Sequence, residues 1–377
     1  MKKKIAILIS FFPNPRINKR IALEKKIGDV HLVCWDKGQT QFYPPNDNEI
    51  ITHIISIKAH SNPLKRIMPY RRFSQCAMNI LNEIEPNIIH VQGLDMLRIA
   101  IAYKKHSHKP VSVVYEVSDL HRLIMDKQKH PIKKVVQYYL KREDKKLEKY
   151  YDTLIITSEM FYELYFKHFV SKEKTIYMPN IPDFSAFNSF HRKEVDPLNY
   201  TIGFIGWIRY KQEMRNLIVA SEKSDIKLLI AGFENDPNEI EQLCNDKPYI
   251  KWTGKFDFKN EAAELYEQCD AIYAVYDADI FNVRVALPNK LYESVFCEIP
   301  IIVAKDTYLA QIVEKWGVGI AVDHKNVDEL ISAITQLRDD KELNESIRSN
   351  CRLHKDEINL DKYNKNLIDR FIEILDK

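Results

Sequence analysis

Glycine is scarce in this chain, with nine among 377 residues. No G-x-G-x-x-G follows the first apolar run, so the fingerprint that brings backbone close to a dinucleotide is missing. The six cysteines, at 34, 76, 244, 269, 297 and 351, include no two within four residues. That spacing excludes a C-x-x-C zinc or redox pair and suits a reduced compartment, with the thiols as small core groups. Charge excess is small too: 56 basic and 53 acidic side chains leave +3. A nucleic-acid binder ordinarily carries a larger surplus. No apolar run approaches the length of a membrane span. The opening MKKKIAILIS has the look of a secretory leader. Its apolar stretch is short, however, and meets Pro13, Asn14, Pro15 and Arg16 without a small-residue cleavage site, so it reads as a buried first strand.

What the sequence does contain is alternation. Short β-branched runs recur at 5–9, 30–35, 87–91, 111–115 and 153–157, with amphipathic stretches between them. Near-continuous apolar strands separated by helices predict a parallel sheet covered on both faces. The rhythm stops at 179–199, a stretch with three prolines and little periodicity, which reads as a linker. It restarts with runs at 201–205, 227–231, 249–252, 271–276, 299–303 and 319–322, and with helical stretches at 257–269 and 326–338. The fold class expected is therefore α/β, with two Rossmann-like domains. The first covers 1–180 and the second 200–355. A final helix at 356–377, apolar at Leu360, Tyr363, Leu367, Phe371 and Leu375, is able to pack on either.

Two segments offer chemistry. In Leu287-Pro288-Asn289-Lys290-Leu291-Tyr292-Glu293 the proline opens a helix, whose free N–H groups and dipole favour a phosphate. Lys290 adds a positive charge at that end, and Glu293, one turn on, can accept two hydrogen bonds from a ribose diol. The same residues also fit an ordinary amphipathic helix with a solvated Lys/Glu pair. In Ile202-Gly203-Phe204-Ile205-Gly206-Trp207-Ile208-Arg209-Tyr210-Lys211 a strand ends in glycine and runs into a turn with two cations. Arg209 and Lys211 can grip a diphosphate there, or form a solvated basic turn. The stretch 127–150 is a basic helix whose apolar content is Ile132, Val135, Val136, Tyr139, Leu140 and Leu147. It suits an anionic membrane surface, or a solvent-washed helix over the first sheet.

Taken in order, these segments resemble family 4 glycosyltransferases of the two-domain GT-B fold, the type used in capsule, exopolysaccharide and lipopolysaccharide synthesis. The likeness includes the Phe12-Pro13-Asn14-Pro15-Arg16-Ile17 turn, Ile88–Asp95, Val113–Leu120, Tyr151–Glu159, Cys269–Ile272 and Gly317–Ile320, and covers roughly 1–340. It implies that the second domain holds the nucleotide diphosphate and the first most of the acceptor, with the last helix crossing back to the first domain. By this likeness Glu293 holds the ribose, and Pro288, Asn289, Lys290 and Leu291 form the phosphate-facing helix start. Gly206, Arg209 and Lys211 complete the donor site. Arg16, His90, Ser118 and His121 lie on the acceptor side, and Asp119, Arg209 and Lys290 act in catalysis. Asp119 equally suits a helix N-cap. Two departures stand out. The position eight before Glu293, where relatives carry a further glutamate, is Val285, and the histidine before "d-l" is Ser118.

The expected reaction transfers a sugar, with retention, from a UDP- or GDP-linked donor to a glycan or lipid-linked acceptor. No cofactor or metal is expected, no nucleic-acid partner, and the location expected is cytoplasmic, with membrane-surface contact open. A nucleotide-sugar 2-epimerase and a degenerate GT-B binding domain remain alternatives.

Overall fold

The computed structural model describes residues 2–38, 50–60, 62–120, 122–126, 128–234 and 238–376. Unit 1 comprises Met1–Pro179 with Leu360–Lys377, and unit 2 comprises Asn180–Asn359.

Unit 1 is built on strands β1 (Lys4–Ile9), β2 (Asp29–Asp36), β3 (Ile51–Ser56), β4 (Ile88–Gln92), β5 (Ser112–Val117), β6 (Thr153–Ile156) and β7 (Thr175–Tyr177). They form one parallel sheet in the order β3-β2-β1-β4-β5-β6-β7. The helices are α1 (Pro15–Glu24), α2 (Pro63–Ile84), α3 (Leu94–His106), α4 (Arg122–Met125), α5 (Pro131–Leu147) and α6 (Glu159–Leu164). All five apolar runs of the first half fall in strands. The two strands they miss are edges. Half of β3 is exposed and all of β7 half-buried, so neither carries the continuous apolar signal of a central strand.

Unit 2 repeats the pattern with β8 (Thr201–Ile208), β9 (Lys227–Glu234), β10 (Ile250–Gly254), β11 (Ala271–Ala274), β12 (Ile301–Ala304) and β13 (Gly319–Val322). The parallel order is β10-β9-β8-β11-β12-β13. Its helices are α7 (Lys211–Lys223), α8 (Glu239–Cys244), α9 (Phe258–Glu267), α10 (Phe281–Val285), α11 (Asn289–Cys297), α12 (Tyr308–Trp316), α13 (Val327–Asp339) and α14 (Lys341–Leu353). The strand order reverses direction between β8 and β11. In open α/β sheets the carboxyl ends beside such a switch point are where ligands bind.

The stretch read as a linker is part of unit 2. Its aromatics dock it: Phe184 stacks on Phe296 at 4.3 Å, and Phe187 meets Tyr266 edge-on at 5.2 Å. Its cations follow, with Lys193 Nζ 2.9 Å from Asp270 Oδ2 and Arg192 donating to the Glu298 carbonyl. Proline content signalled irregular backbone, which the segment has, but not detachment.

The final helix, α15 (Leu360–Leu375), belongs to unit 1. Leu367, Phe371 and Ile374 join the cluster made by Ile5, Ile7 and Ile9 of β1 with Ile17 and Ile21 of α1. Polar contacts fix its angle. Arg370 donates to Thr153 Oγ1 at 2.9 Å and to the Asp152 carbonyl at 3.1 Å, and Ser112 Oγ donates to the Ile374 carbonyl at 3.3 Å.

Candidate functional site

The carboxyl ends of β8 and β9 set the geometry in unit 2. Gly206 and Gly232 are register partners, with φ of +145° and +154°. A Cβ on Gly232 would lie 1.8 Å from the Gly206 carbonyl oxygen, so only glycine allows these strands to approach here. Opposite them α11 begins at Asn289, with Pro288 as its N-cap in extended conformation and no side chain bonded to the first amides. That leaves the positive end of the helix dipole without a side-chain acceptor. Pro288 thus stands one place before the helix, as its cap. The Asn289 side chain is tethered, its Oδ1 accepting from Asn180 Nδ2 at 2.6 Å.

Lys290 folds across this turn. Its Cε lies 3.8 Å from where a Cβ on Gly206 would stand, and its ammonium donates to Glu293 Oε2 at 2.6 Å. Glu293 is 1% exposed and accepts from the Tyr266 hydroxyl at the same oxygen. A carboxylate so buried is costly unless paired and hydrogen-bonded, and here it has a cation and a neutral donor. Tyr266 is itself held far above the usual phenol range, by burial first and then by Glu293. Gly206, Lys290 and Glu293, from segments 84 residues apart, are therefore one cluster.

Arg209 and Lys211 part company. The Arg209 guanidinium lies 4.0 Å over the Trp207 ring. It remains within electrostatic reach of Tyr276, as does Glu293, so it borders the same neighbourhood. Tyr276 in turn contacts Tyr210 at 5.4 Å. Lys211 is instead committed to Glu234, 3.1 Å away, and to Glu239 at 3.7 Å. The reason is local. Glu234 is 1% exposed at its side chain and accepts from the amides of Ile240 and Glu241 at the start of α8, so it demands a counter-charge. The Leu291 side chain is wholly buried in the core, so only its backbone amide belongs to the helix start.

Three residues with no sequence signal lie on the same carboxyl side. His324, after β13, is 2.9 Å through Nδ1 from Glu213 Oε1 and 4.0 Å from Asp277 Oδ1. Among the described residues this is the grouping that could hold a metal ion. Tyr266, Asn180, Glu213 and His324 were missed because their partners are 27 to 111 residues distant, and no local spacing records such a contact.

In unit 1 the acceptor-side set divides. Arg16 lies in the first turn of α1 among Glu116, Asp119 and Arg20. Burial lowers its pKa from the ordinary value, opposed by both carboxylates and assisted by Arg20. Asp119 is exposed and Ser118 half-buried just past β5, and Ser118 Oγ accepts from the Gln92 amide. Asp119 stands between the end of β5 and α4. His90 lies in the interior and not at a surface. It is 2% exposed, donating to Glu24 Oε1 at 2.5 Å, with Nε2 3.2 Å from Glu116 Oε2. Arg20 completes this network, its Nε 2.9 Å from Glu116. Burial draws the His90 pKa down, but Glu24 and Glu116 outweigh it and carry it up to about 9. His121 lies outside the described residues.

Residues 188–354 match the family of glycosyl transferases group 1. The succinoglycan biosynthesis protein ExoL of Rhizobium meliloti (strain 1021) is 23% identical over 271 residues, covering 67% of this chain and 64% of its own length. The chain thus spans under two thirds of that curated relative. A glycosyltransferase from Rickettsia africae ESF-5 superposes with a TM-score of 0.72 at 12% identity, covering 99% of both chains. Anabaena HepE in complex with UDP-glucose gives 0.67 at 13% identity, covering 98% of this chain and 99% of that one. The two Rossmann-like units have the fold of GT-B glycosyltransferases, and unit 2 carries a glycosyl transferases group 1 domain.

Proposed function

We propose that this protein is a glycosyltransferase of family 4. It moves a hexosyl group from a nucleoside diphosphate sugar to a glycan or lipid-linked acceptor during cell-surface polysaccharide assembly. The observation that carries the reading is the meeting of Lys290 with Gly206 and Glu293 at the start of α11, where the cap Pro288 offers the first amides no side-chain acceptor. In this reading a diphosphate takes the helix N-terminus and draws the Lys290 ammonium from Glu293. Glu293, still held by Tyr266, then accepts from the ribose hydroxyls. Arg209 swings from the Trp207 ring to the outer phosphate, and together the cations stabilise the charge that grows on the leaving diphosphate.

The donor is UDP- or GDP-linked and the anomeric configuration is retained. HepE was solved with UDP-glucose, which favours the uridine form, and the ExoL likeness favours an exopolysaccharide product. Asp119, exposed beside Arg16, serves the acceptor hydroxyl. In this reading no resident metal is required, since Lys290 and Arg209 bring the positive charge to the diphosphate. The chain works in the cytoplasm, peripheral to the membrane. No helix among the described residues is long and apolar enough to cross one.

A thermal-shift panel with UDP, GDP, CDP and ADP tests the site, followed by calorimetry on Lys290→Gln, Arg209→Ala and Glu293→Gln. Gln at 290 retains a donor for Glu293 but not the charge. Loss of one charge-assisted contact should weaken diphosphate binding roughly 10- to 100-fold. Unchanged affinity in all three removes the donor site. Transfer should survive a chelator. Loss restored by Mn²⁺ would direct attention to Glu213, Asp277 and His324 instead.

A further inference from the structure

We infer that Asn180 is a positioning residue of the donor site: it holds the Asn289 carboxamide so that the NH2 group, and not the oxygen, is left for the diphosphate. This rests on the donor-site reading above. Asn289 is the first residue of α11, between the cap Pro288 and Lys290. Its Oδ1 accepts from Asn180 Nδ2 at 2.6 Å, across 109 residues of sequence. Among the described residues this is the one hydrogen bond of the Asn289 side chain. A carboxamide accepts at one end and donates two hydrogens at the other. With Oδ1 turned to Asn180, Nδ2 lies on the far side of Cγ, and both side chains are only half-buried. The donating end is thus open to a ligand.

The orientation matters because of what an untethered asparagine does at such a place. Its oxygen seeks nearby backbone N–H groups, as it does in caps and turns. An acceptor there would compete with a phosphate for the first amides of α11, which no side chain takes. Turned the other way, the same group adds donors beside Lys290, and donors are what a phosphate oxygen needs. The backbone of Asn180 is stiff enough to hold the bond. Pro179 and Pro182 flank it with fixed φ, and Pro182 keeps Ile181 out of the helical region. Ile181 is wholly buried, with both prolines buried around it. Simple attachment does not account for the asparagine pair. The segment is already pinned to α11 by Phe184, stacked on Phe296 at 4.3 Å.

Calorimetry on the full chain with UDP, and displacement calorimetry with uridine, test this. Where the thermal-shift panel selects guanine, GDP and guanosine take their place. Asn180→Ala should weaken UDP binding roughly three- to tenfold, as loss of about one hydrogen bond does. Uridine binding should stay level, since the nucleoside brings no phosphate, and it shows that each variant's site is folded. Asn180→Ser, polar but too short for the bond, should behave as the alanine variant does. Asn289→Ala should weaken UDP at least as much. The double variant Asn180→Ala with Asn289→Ala should bind UDP no more weakly than Asn289→Ala alone, because Asn180 acts through Asn289. Unaltered UDP affinity in the Asn180 variants, equal losses for UDP and uridine, or losses that multiply in the double variant would each overturn the assignment. Lys290→Gln separates the two readings. If it weakens UDP and Asn180→Ala does not, only the role of Asn180 fails; if neither does, the donor site itself fails.

Discussion

Replacing His90 with Leu removes the cation from between two buried carboxylates. In the native chain Glu24, Glu116, Arg20 and His90 are each at most 2% exposed. With imidazolium and guanidinium both charged, the four groups neutralise one another. Leucine leaves two carboxylates to one guanidinium, and breaking such a buried pair costs roughly 3–5 kcal/mol. The pH dependence is more specific. An ordinary histidine titrates near 6.5 when unfolded, whereas His90 holds its proton to about 9. A raised pKa stabilises fully below the unfolded value. That contribution is lost as pH climbs from about 6.5 to about 9, and it integrates to roughly 3 kcal/mol. Urea unfolding of native and His90→Leu protein across this range gives two curves. Groups that titrate elsewhere affect both, so their difference isolates His90. The difference should shrink by roughly 3 kcal/mol between the ends of the range. Parallel curves, or a change under about 1 kcal/mol, would show that His90 is neutral in the folded chain and that the network is held together some other way.

Other substitutions read other terms. Burial raises the Asp144 carboxyl to about 7, against a modest opposing pull from the Tyr165 hydrogen bond. Its folded pKa exceeds its unfolded one, so it costs stability as pH rises from about 4 to about 7. Asp144→Asn should therefore raise the melting temperature in mildly alkaline buffer and leave it little changed near pH 4. A gain of equal size at both would refute the titration. Glu298 ends α11 with φ of +55°, while bridging to Arg352 at 2.9 Å and Lys355 at 2.7 Å. Glu298→Ala loses the bridges and keeps the strained backbone. Glu298→Gly loses the bridges and relaxes it, so Gly should exceed Ala by about 1 kcal/mol in denaturant unfolding.

Both sheets were legible because central parallel strands must be apolar on two faces, and that requirement writes itself into consecutive residues such as Ile5–Ile9 and Ile301–Ala304. The edges β3 and β7 escape it, being free of the requirement. Of the donor cluster, Lys290 and Glu293 were visible because one helical turn separates them. Tyr266, which holds Glu293 from another helix, had no such marker. Lys211 was visible as well, but its ion pair with Glu234, 23 residues on, was not. His90 stands within the apolar strand β4, near its carboxyl end, as many site histidines do. Only the positions of Glu24 and Glu116 reveal that its surroundings are interior.

Because α15 completes the core around β1, unit 1 is interrupted in sequence by the whole of unit 2. During synthesis Phe371 and Leu367 reach the ribosome exit only after residues 180–359 have passed. Unit 2, drawn from one unbroken stretch, can thus close first although it is made second. Meanwhile β1 and α1 wait with an apolar flank uncovered, a vulnerable interval in which a chaperone would find its substrate.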